Sequence, residues 1–337
     1  MIEDVSLYVP SDSGVQLRVP AWRLDSGKPG PRVHLQAGVH ADEIAGMLVL
    51  HKLLPLLVQA ADNGLLRGCV TVVPQANPLG IGQFRHGRIL GRVHESSSRN
   101  FNRGFPGSAA QARPVGNLAV WQKALSGLAA DADIVLDLHT DDEALQYVYL
   151  HQCFWPAGQD LAAALGAEVA IIWEGDGDGA FEEVVIAPWL AEGRVEGRLV
   201  STVELRGQAD VSDTLAQQDA DGLYTFLCAR GLIAEPEQLP AWQGRAVPIG
   251  HMETVFAPTS GVLVFERELG DAVQAGECFA RVITIPGDPS SEHRLLAPQA
   301  GVMVTRYRDR LIPEGAIAAK FTGSAPSSTW TSGALDP

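Results

Sequence analysis

Arg32-Val33-His34-Leu35-Gln36-Ala37-Gly38, followed by Val39-His40-Ala41-Asp42-Glu43 and the stretch 43–60 (EIAGMLVLHKLLPLLVQA), decides the fold. It reads as a strand that runs into a glycine, a short polar loop, and a helix with apolar residues at helical spacing. Pro55 predicts a kink or a late break in that helix. The alternation continues outward. Cys69–Pro74 is a β-branched strand, residues 116–130 a helix, and Asp133–His139 an apolar strand with a polar end. A helix near 159–167, the strand Leu199–Leu205 and a helix over 212–231 follow. Upstream, residues 1–30 read as short strands joined by turns at 11–14 and 28–30. Strands alternating with helices predict an α/β domain with a largely parallel sheet flanked by helices.

The texture changes at Pro236–Gly250, rich in proline and glycine, where the boundary is placed. This gives an α/β domain over 1–240, a small all-β barrel or sandwich over 241–323, and a flexible tail over 324–337. Within the β region, Ala257-Pro258-Thr259-Ser260-Gly261-Val262-Leu263-Val264 returns as Ala297-Pro298-Gln299-Ala300-Gly301-Val302-Met303-Val304. The repeat resembles the biotinyl/lipoyl-type domain. No lysine lies between its halves, in 286–294, so a structural or lid role is expected rather than a swinging-arm carrier.

The chain has 337 residues, 46% of them hydrophobic and 19% charged, which excludes disorder over most of its length. A net charge of −15 argues against a nucleic-acid partner and against docking on anionic lipid. No apolar run reads as long enough to span a membrane, and the N-terminus shows no signal-peptide pattern. The cysteines Cys69, Cys153, Cys228 and Cys278 form no CxxC pair, so free thiols in a cytoplasmic protein are expected.

Four features carry chemistry. His40 and Glu43 sit three apart between a strand and a helix, where open α/β sheets build their sites. An imidazole and a carboxylate at that spacing can share one metal. Taken alone, the pair is also what a helix N-terminus with acids looks like. Asp137 and His139 project from one strand face, so the acid can orient the imidazole. Asn102-Arg103 offers an amide and a guanidinium suited to a carboxylate, within a stretch that also holds Arg85, Arg88, Arg92 and Arg99. Glu204 lies inside an apolar strand, a costly place unless it is paired or functional. Asp176–Gly179 is read as a turn, and Trp155, Trp173 and Trp189 as packing.

His40-x-x-Glu43, Asn102-Arg103 before Phe-Pro-Gly, His139 within Asp-Leu-His-Thr, and Val203-Glu204-Leu205 occur in that order along the chain. Together they resemble the succinylglutamate desuccinylase/aspartoacylase family, relatives of the zinc carboxypeptidases. The resemblance covers about residues 30–230 and implies a zinc carboxypeptidase-like fold. It implies one zinc per chain on His40, Glu43 and His139. Glu204 would be the general base and then the acid, and Asn102 and Arg103 would hold the substrate carboxylate. An arginine that polarises the scissile carbonyl is also implied; Arg92 and Arg99 are the candidates, with Arg85 behind them. His94–Ser98 departs from the acidic Asp-Leu-Asn-Arg spelling of the best-known members, which leaves the acyl group open.

The implied reaction removes an acyl group from a small anionic N-acyl amino acid, with metal-activated water attacking the amide. A carboxypeptidase acting on short peptides would use the same residues, and a non-catalytic binding module is the rival from another class. A homo-oligomer is compatible with all three.

Overall fold

The computed structural model describes residues 2–107, 116–175, 177–328, 330 and 335. A nine-stranded sheet organises the first part of the chain. Its strands are β1 (Ile2–Asp4), β2 (Trp22–Asp25), β3 (Arg32–Ala37), β4 (Cys69–Val73), β5 (Ile134–Asp141), β6 (Gln146–His151), β7 (Val169–Trp173), β8 (Leu199–Gly207) and β9 (Arg245–Pro248). They lie in the order β1-β2-β4-β3-β5-β8-β6-β7-β9. The central strands β4, β3, β5 and β8 are mutually parallel. The group β6, β7 and β9 is parallel within itself and antiparallel to β8. The central strands are buried almost end to end, as a sheet covered on both faces requires.

Five longer helices cover it: α1 (Ala45–Asp62), α2 (Asn117–Ala129), α3 (Gln159–Leu165), α4 (Phe181–Ala191) and α5 (Asp213–Ala229). Gly46 of α1 sits on Ala37 and Leu138, while Phe181 of α4 stands beside the His34 ring. Positions 34 and 37 point to opposite faces, so α1 and α4 cover opposite sides. The helix α5 packs on α1 and α3, and α2 packs on α4.

The expected break at Pro55 is absent, and α1 runs through it to Asp62. Pro55 and His51 both lie on the exposed side. The His51 carbonyl that loses its amide partner there faces solvent, so the helix tolerates the ring. By length and composition α1 is apolar enough to cross a bilayer, contrary to the reading of the sequence. Its residues Val49, Leu50, Leu53 and Leu57 are buried in the main core instead.

Strand β9 extends the large sheet past residue 240, where the α/β region was expected to end. Beyond it, β10 (Glu253–Phe256), β11 (Gly261–Phe265), β12 (Cys278–Ile283), β13 (Glu292–Leu296), β14 (Gly301–Arg306) and β15 (Ile317–Phe321) form two small antiparallel sheets. Phe279, Phe321, Leu263 and Met303 fill the space between them. The two repeat copies supply β11 and β14, one to each sheet. The short strand Glu143–Ala144 pairs with β14 and ties the two regions together. Asp176, part of the expected turn, lies outside the described residues.

Candidate active site

The loop after β3 begins the site. Glu43 N–H donates to the His40 carbonyl at 3.1 Å, a tight turn that brings both side chains to one point. His40 Nδ1 is 2.9 Å from Glu43 Oε1, and His139 Nδ1, at the end of β5, is 2.8 Å from Glu43 Oε2. All three residues are buried, and one ligand atom from each lies within 4.8 Å of the others. Thr140 N–H adds a bond to Glu43 Oε2 at 3.1 Å.

The outer nitrogens of both imidazoles also face acceptors, His40 through a hydrogen bond and His139 through an ion-pair contact. Asn100 Oδ1 lies 2.8 Å from His40 Nε2 and Asp137 Oδ2 3.0 Å from His139 Nε2. An acceptor at Nε2 favours the tautomer protonated there, which would free each Nδ1 to ligate once an ion stood between Glu43 and the imidazoles. Two imidazole nitrogens and a carboxylate form the donor set of a divalent ion that takes mixed nitrogen and oxygen ligands. This site fits such an ion.

The electrostatics follow from burial and charge. Burial would raise the Glu43 carboxyl, but His40 and His139 outweigh it and hold it well below the usual range. Burial alone would lower His139; the carboxylates of Asp137 and Glu43 reverse this and raise it well above its ordinary value. For His40 burial prevails and the shift is downward.

Glu204 on β8 is the register partner of His139 on β5. Burial pushes its carboxyl well above the usual range, and Oε2 has no hydrogen-bond partner among the described residues. A carboxyl poised this way beside a cluster that could hold a metal can take and return a proton.

The arginine-rich stretch separates into distinct roles. Ala41 N–H bonds the Gly91 carbonyl at 2.9 Å. A Cβ on Gly91 would stand 2.0 Å from the Asp42 nitrogen, so only glycine allows this approach. The next residue, Arg92, thereby reaches Glu43 Oε1 at 3.3 Å and lines the cavity. Arg99 does not line it; its guanidinium turns to the Gly104 carbonyl at 3.5 Å on the exposed side. Arg85 pairs with Glu95 in an exposed hairpin.

Asn102 and Arg103 line the cavity as well. Buried Gln122 of α2 donates to the carbonyls of Phe101 and Arg103, at 3.1 and 2.9 Å, and clamps their loop. Asn102 Oδ1 accepts the Phe181 N–H at 2.9 Å. Its oxygen is thus engaged, and the group it offers a ligand is the NH2 donor, the polarity a carboxylate needs.

Several residues at or behind the site had no motif to mark them. Asn100 reads as a neighbour of Asn102 until the fold turns it onto His40. Glu182, in the first turn of α4, faces the cavity; burial pushes its carboxyl up to about 7, and Oε2 has no hydrogen-bond partner among the described residues. Trp173, expected as packing, lines the cavity too, whereas Trp155 packs on Trp242 and Trp189 on Phe154. Trp330 and Leu335, from the tail expected to be flexible, complete one wall. The β region contributes Lys320, 2% exposed, whose Nζ donates to Asp141 Oδ2 at 2.8 Å. Asp141 also accepts the Tyr147 hydroxyl at 2.9 Å.

Comparisons with known proteins bear on this arrangement. Residues 29–230 match the model of the succinylglutamate desuccinylase/aspartoacylase catalytic domain. A search of curated proteins found no match. Among solved structures, a Shewanella frigidimarina NCIMB 400 protein assigned to this family is similar, at 22% identity and a TM-score of 0.85, covering 96% of this chain and 97% of that one. A succinylglutamate desuccinylase/aspartoacylase from Rhodobacter sphaeroides follows at 20% identity and 0.74, covering 97% and 96%. The ectoine utilization protein EutE (DoeB) from Ruegeria pomeroyi, in a product-bound structure, is similar at 21% identity and 0.73, covering 96% and 95%. At these identities the structures show a shared fold, β region included. With a catalytic-domain match over more than half its length, the chain belongs to the succinylglutamate desuccinylase/aspartoacylase family of hydrolases.

Proposed function

We propose that the protein is a zinc-dependent amidohydrolase that releases the acyl group from a small N-acyl amino acid. The observation that carries this reading is the placement of Glu204 beside a buried His40–Glu43–His139 donor set. His40, Glu43 and His139 would hold one zinc per chain. Zinc in such a site supplies Lewis acidity and brings the pKa of water to about 7.

The protein's own groups account for the rest. Glu204 accepts the proton of the attacking water and returns it to the departing amide nitrogen. Arg92, on the Glu43 side of the cavity, faces the oxygen on which negative charge develops. The Asn102 amide and the Arg103 guanidinium hold the substrate carboxylate. Asp137 and Asn100 keep the imidazoles in the ligating tautomer. One side of the cavity is closed by Trp173, Ile249, Trp330 and Leu335, which supports a single acylated amino acid over an extended peptide.

The test is metal content of the purified protein with and without His139→Ala, then amine release from N-acetyl, N-succinyl and other N-acyl amino acids beside short peptides. About one zinc per chain, lost in the variant, with release from an N-acyl amino acid is the expected result. Release only from peptides would favour a carboxypeptidase. Absence of zinc even after reconstitution would favour a binding module.

A further inference from the structure

One face of the large sheet changes character along a single register row. Across the strands the row runs Gln36, Asp137, Thr202, Tyr149, Ile171 and Val247. The polar half carries the residues next to the metal-ligand cluster. The other half leads to an apolar wall of Tyr149, Trp173, Ile249, Trp330 and Leu335.

Two members of that wall come from the end of the chain. Leu335 is 6% exposed and shares a core with Tyr147, Ile249 and Met252. The approach to them is fixed by specific bonds. Gln299 Oε1 accepts the N–H groups of Ser324 and Ala325, at 2.9 and 3.0 Å. Ser327 N–H donates to the Gly250 carbonyl at 2.7 Å, and its hydroxyl to the buried Glu253 carboxylate at 2.7 Å. A Cβ on Gly250 would stand 3.1 Å from the Trp330 ring, so the missing side chain lets the indole lie against the backbone.

We propose that Trp330 and Leu335 form a wall of the substrate pocket, and that the preferred substrate carries an aromatic or branched aliphatic group packed on Trp330, Leu335, Trp173 and Ile249. This rests on the N-acyl amino acid reading and narrows it. An apolar group removed from water onto this wall contributes in proportion to the area it buries. A second carboxylate, as in a succinyl group or an aspartate side chain, would lie unpaired against tryptophan, leucine and isoleucine, at a desolvation cost. It would also share the cavity with Glu182, which offers it no positive partner.

The experiment uses the full metal-loaded chain, Trp330→Ala, Trp330→Phe and a chain ended after Gly323. Relative kcat/KM is measured for N-acetyl-phenylalanine, N-acetyl-leucine and N-isovaleryl-glycine against N-acetyl-aspartate and N-succinyl-glutamate. Calorimetry measures binding of phenylalanine, leucine and isovalerate against aspartate and succinate. An apolar preference of roughly tenfold or more is expected. It should collapse through KM in Trp330→Ala and in the shortened chain and be kept in Trp330→Phe. A thermal midpoint matching that of the parent shows that Trp330→Ala still folds, so the result does not depend on the shortened chain.

A preference for the dicarboxylates, or an apolar preference that survives Trp330→Ala, would overturn the assignment of the wall. If nothing in the panel is hydrolysed but apolar compounds bind and lose binding in Trp330→Ala, the proposed reaction fails and the pocket assignment stands. Hydrolysis confined to dicarboxylates fails the assignment alone.

Discussion

His139 and Glu204 face each other as register partners on two adjacent parallel strands. A metal-ligand candidate and the proton-transfer candidate are therefore spaced by the sheet itself rather than by a loop. Glu204→Gln keeps the shape and loses the titrating group. It is expected to retain metal and fold while activity falls by about two to four decades. Metal analysis and turnover on the same sample check this; near-parental turnover would remove Glu204 from its role.

Arg92 and Arg99 separate the two arginine candidates. Arg92 reaches Glu43 and the cavity, while Arg99 contacts a backbone carbonyl outside it. Arg92→Ala should lower kcat/KM by about two to three decades, the cost of losing one oxyanion donor. Arg99→Ala should stay within a few-fold. Steady-state kinetics of both variants decides, and a reversed ranking would return the role to Arg99.

The acceptors behind the imidazoles give a third expectation. Asn100→Ala and Asp137→Asn remove groups that fix the imidazole tautomers. Each should weaken metal affinity about 10- to 100-fold with little change in fold. Competition with a fluorescent zinc chelator measures this. Unchanged affinity in both variants would mean that the tautomers are set elsewhere.

Lys320 tests how far the β region supports the site. Its ammonium is buried against Asp141, which precedes the turn out of β5. Lys320→Met leaves that carboxylate short of its cation, at a cost of about 3 kcal/mol. The double variant with Asp141→Asn should recover part of the loss. Denaturant midpoints of the two single variants and the double variant supply the cycle.

Glu182 gives a pH signature. Its carboxyl titrates at about 7 in the folded chain against an ordinary 4.5, because burial disfavours the charge. Below 4.5 both folded and unfolded chains hold the proton, and the group costs nothing. Between 4.5 and 7 only the unfolded chain releases it, so stability falls as pH rises, and above 7 the loss is complete. Glu182→Gln should lack this loss, matching the parent below pH 4.5 and exceeding it by about 3 kcal/mol above pH 7. A difference that does not change with pH would count against the burial argument.

The strands and helices that carry the ligands were legible because each has a local signature. Arg32–Ala37, Cys69–Val73 and Leu199–Gly207 are bounded by glycine, proline or polar residues, and α1 and α5 show helical spacing. What the sequence hid depends on contacts between distant segments. Strands β6 and β7 are short runs whose pairing is set by β8, and α4 carries apolar residues around most of its surface, which gives no clear face to read. Arg92 could not be told from Arg99 because Gly91, meeting the loop of Asp42, makes the difference. Asn100 and Glu182 join the site only through its folded shape, and Trp330 through a preceding segment held by Gln299 and Ser327.

Lys320 lies in the last strand among the described residues, and Trp330 follows it. On the ribosome, domains fold from the N-terminus as they emerge. The sheet and the four residues His40, Glu43, His139 and Glu204 are all made long before Lys320 and Trp330. A nascent chain can therefore assemble its ligand set while the pocket still lacks the Lys320 tie and the Trp330 wall. Order of synthesis therefore places enclosure of the cavity after assembly of the ligand candidates. A tag or a nick near the C-terminus would consequently be felt at a site whose chemistry is encoded more than a hundred residues earlier.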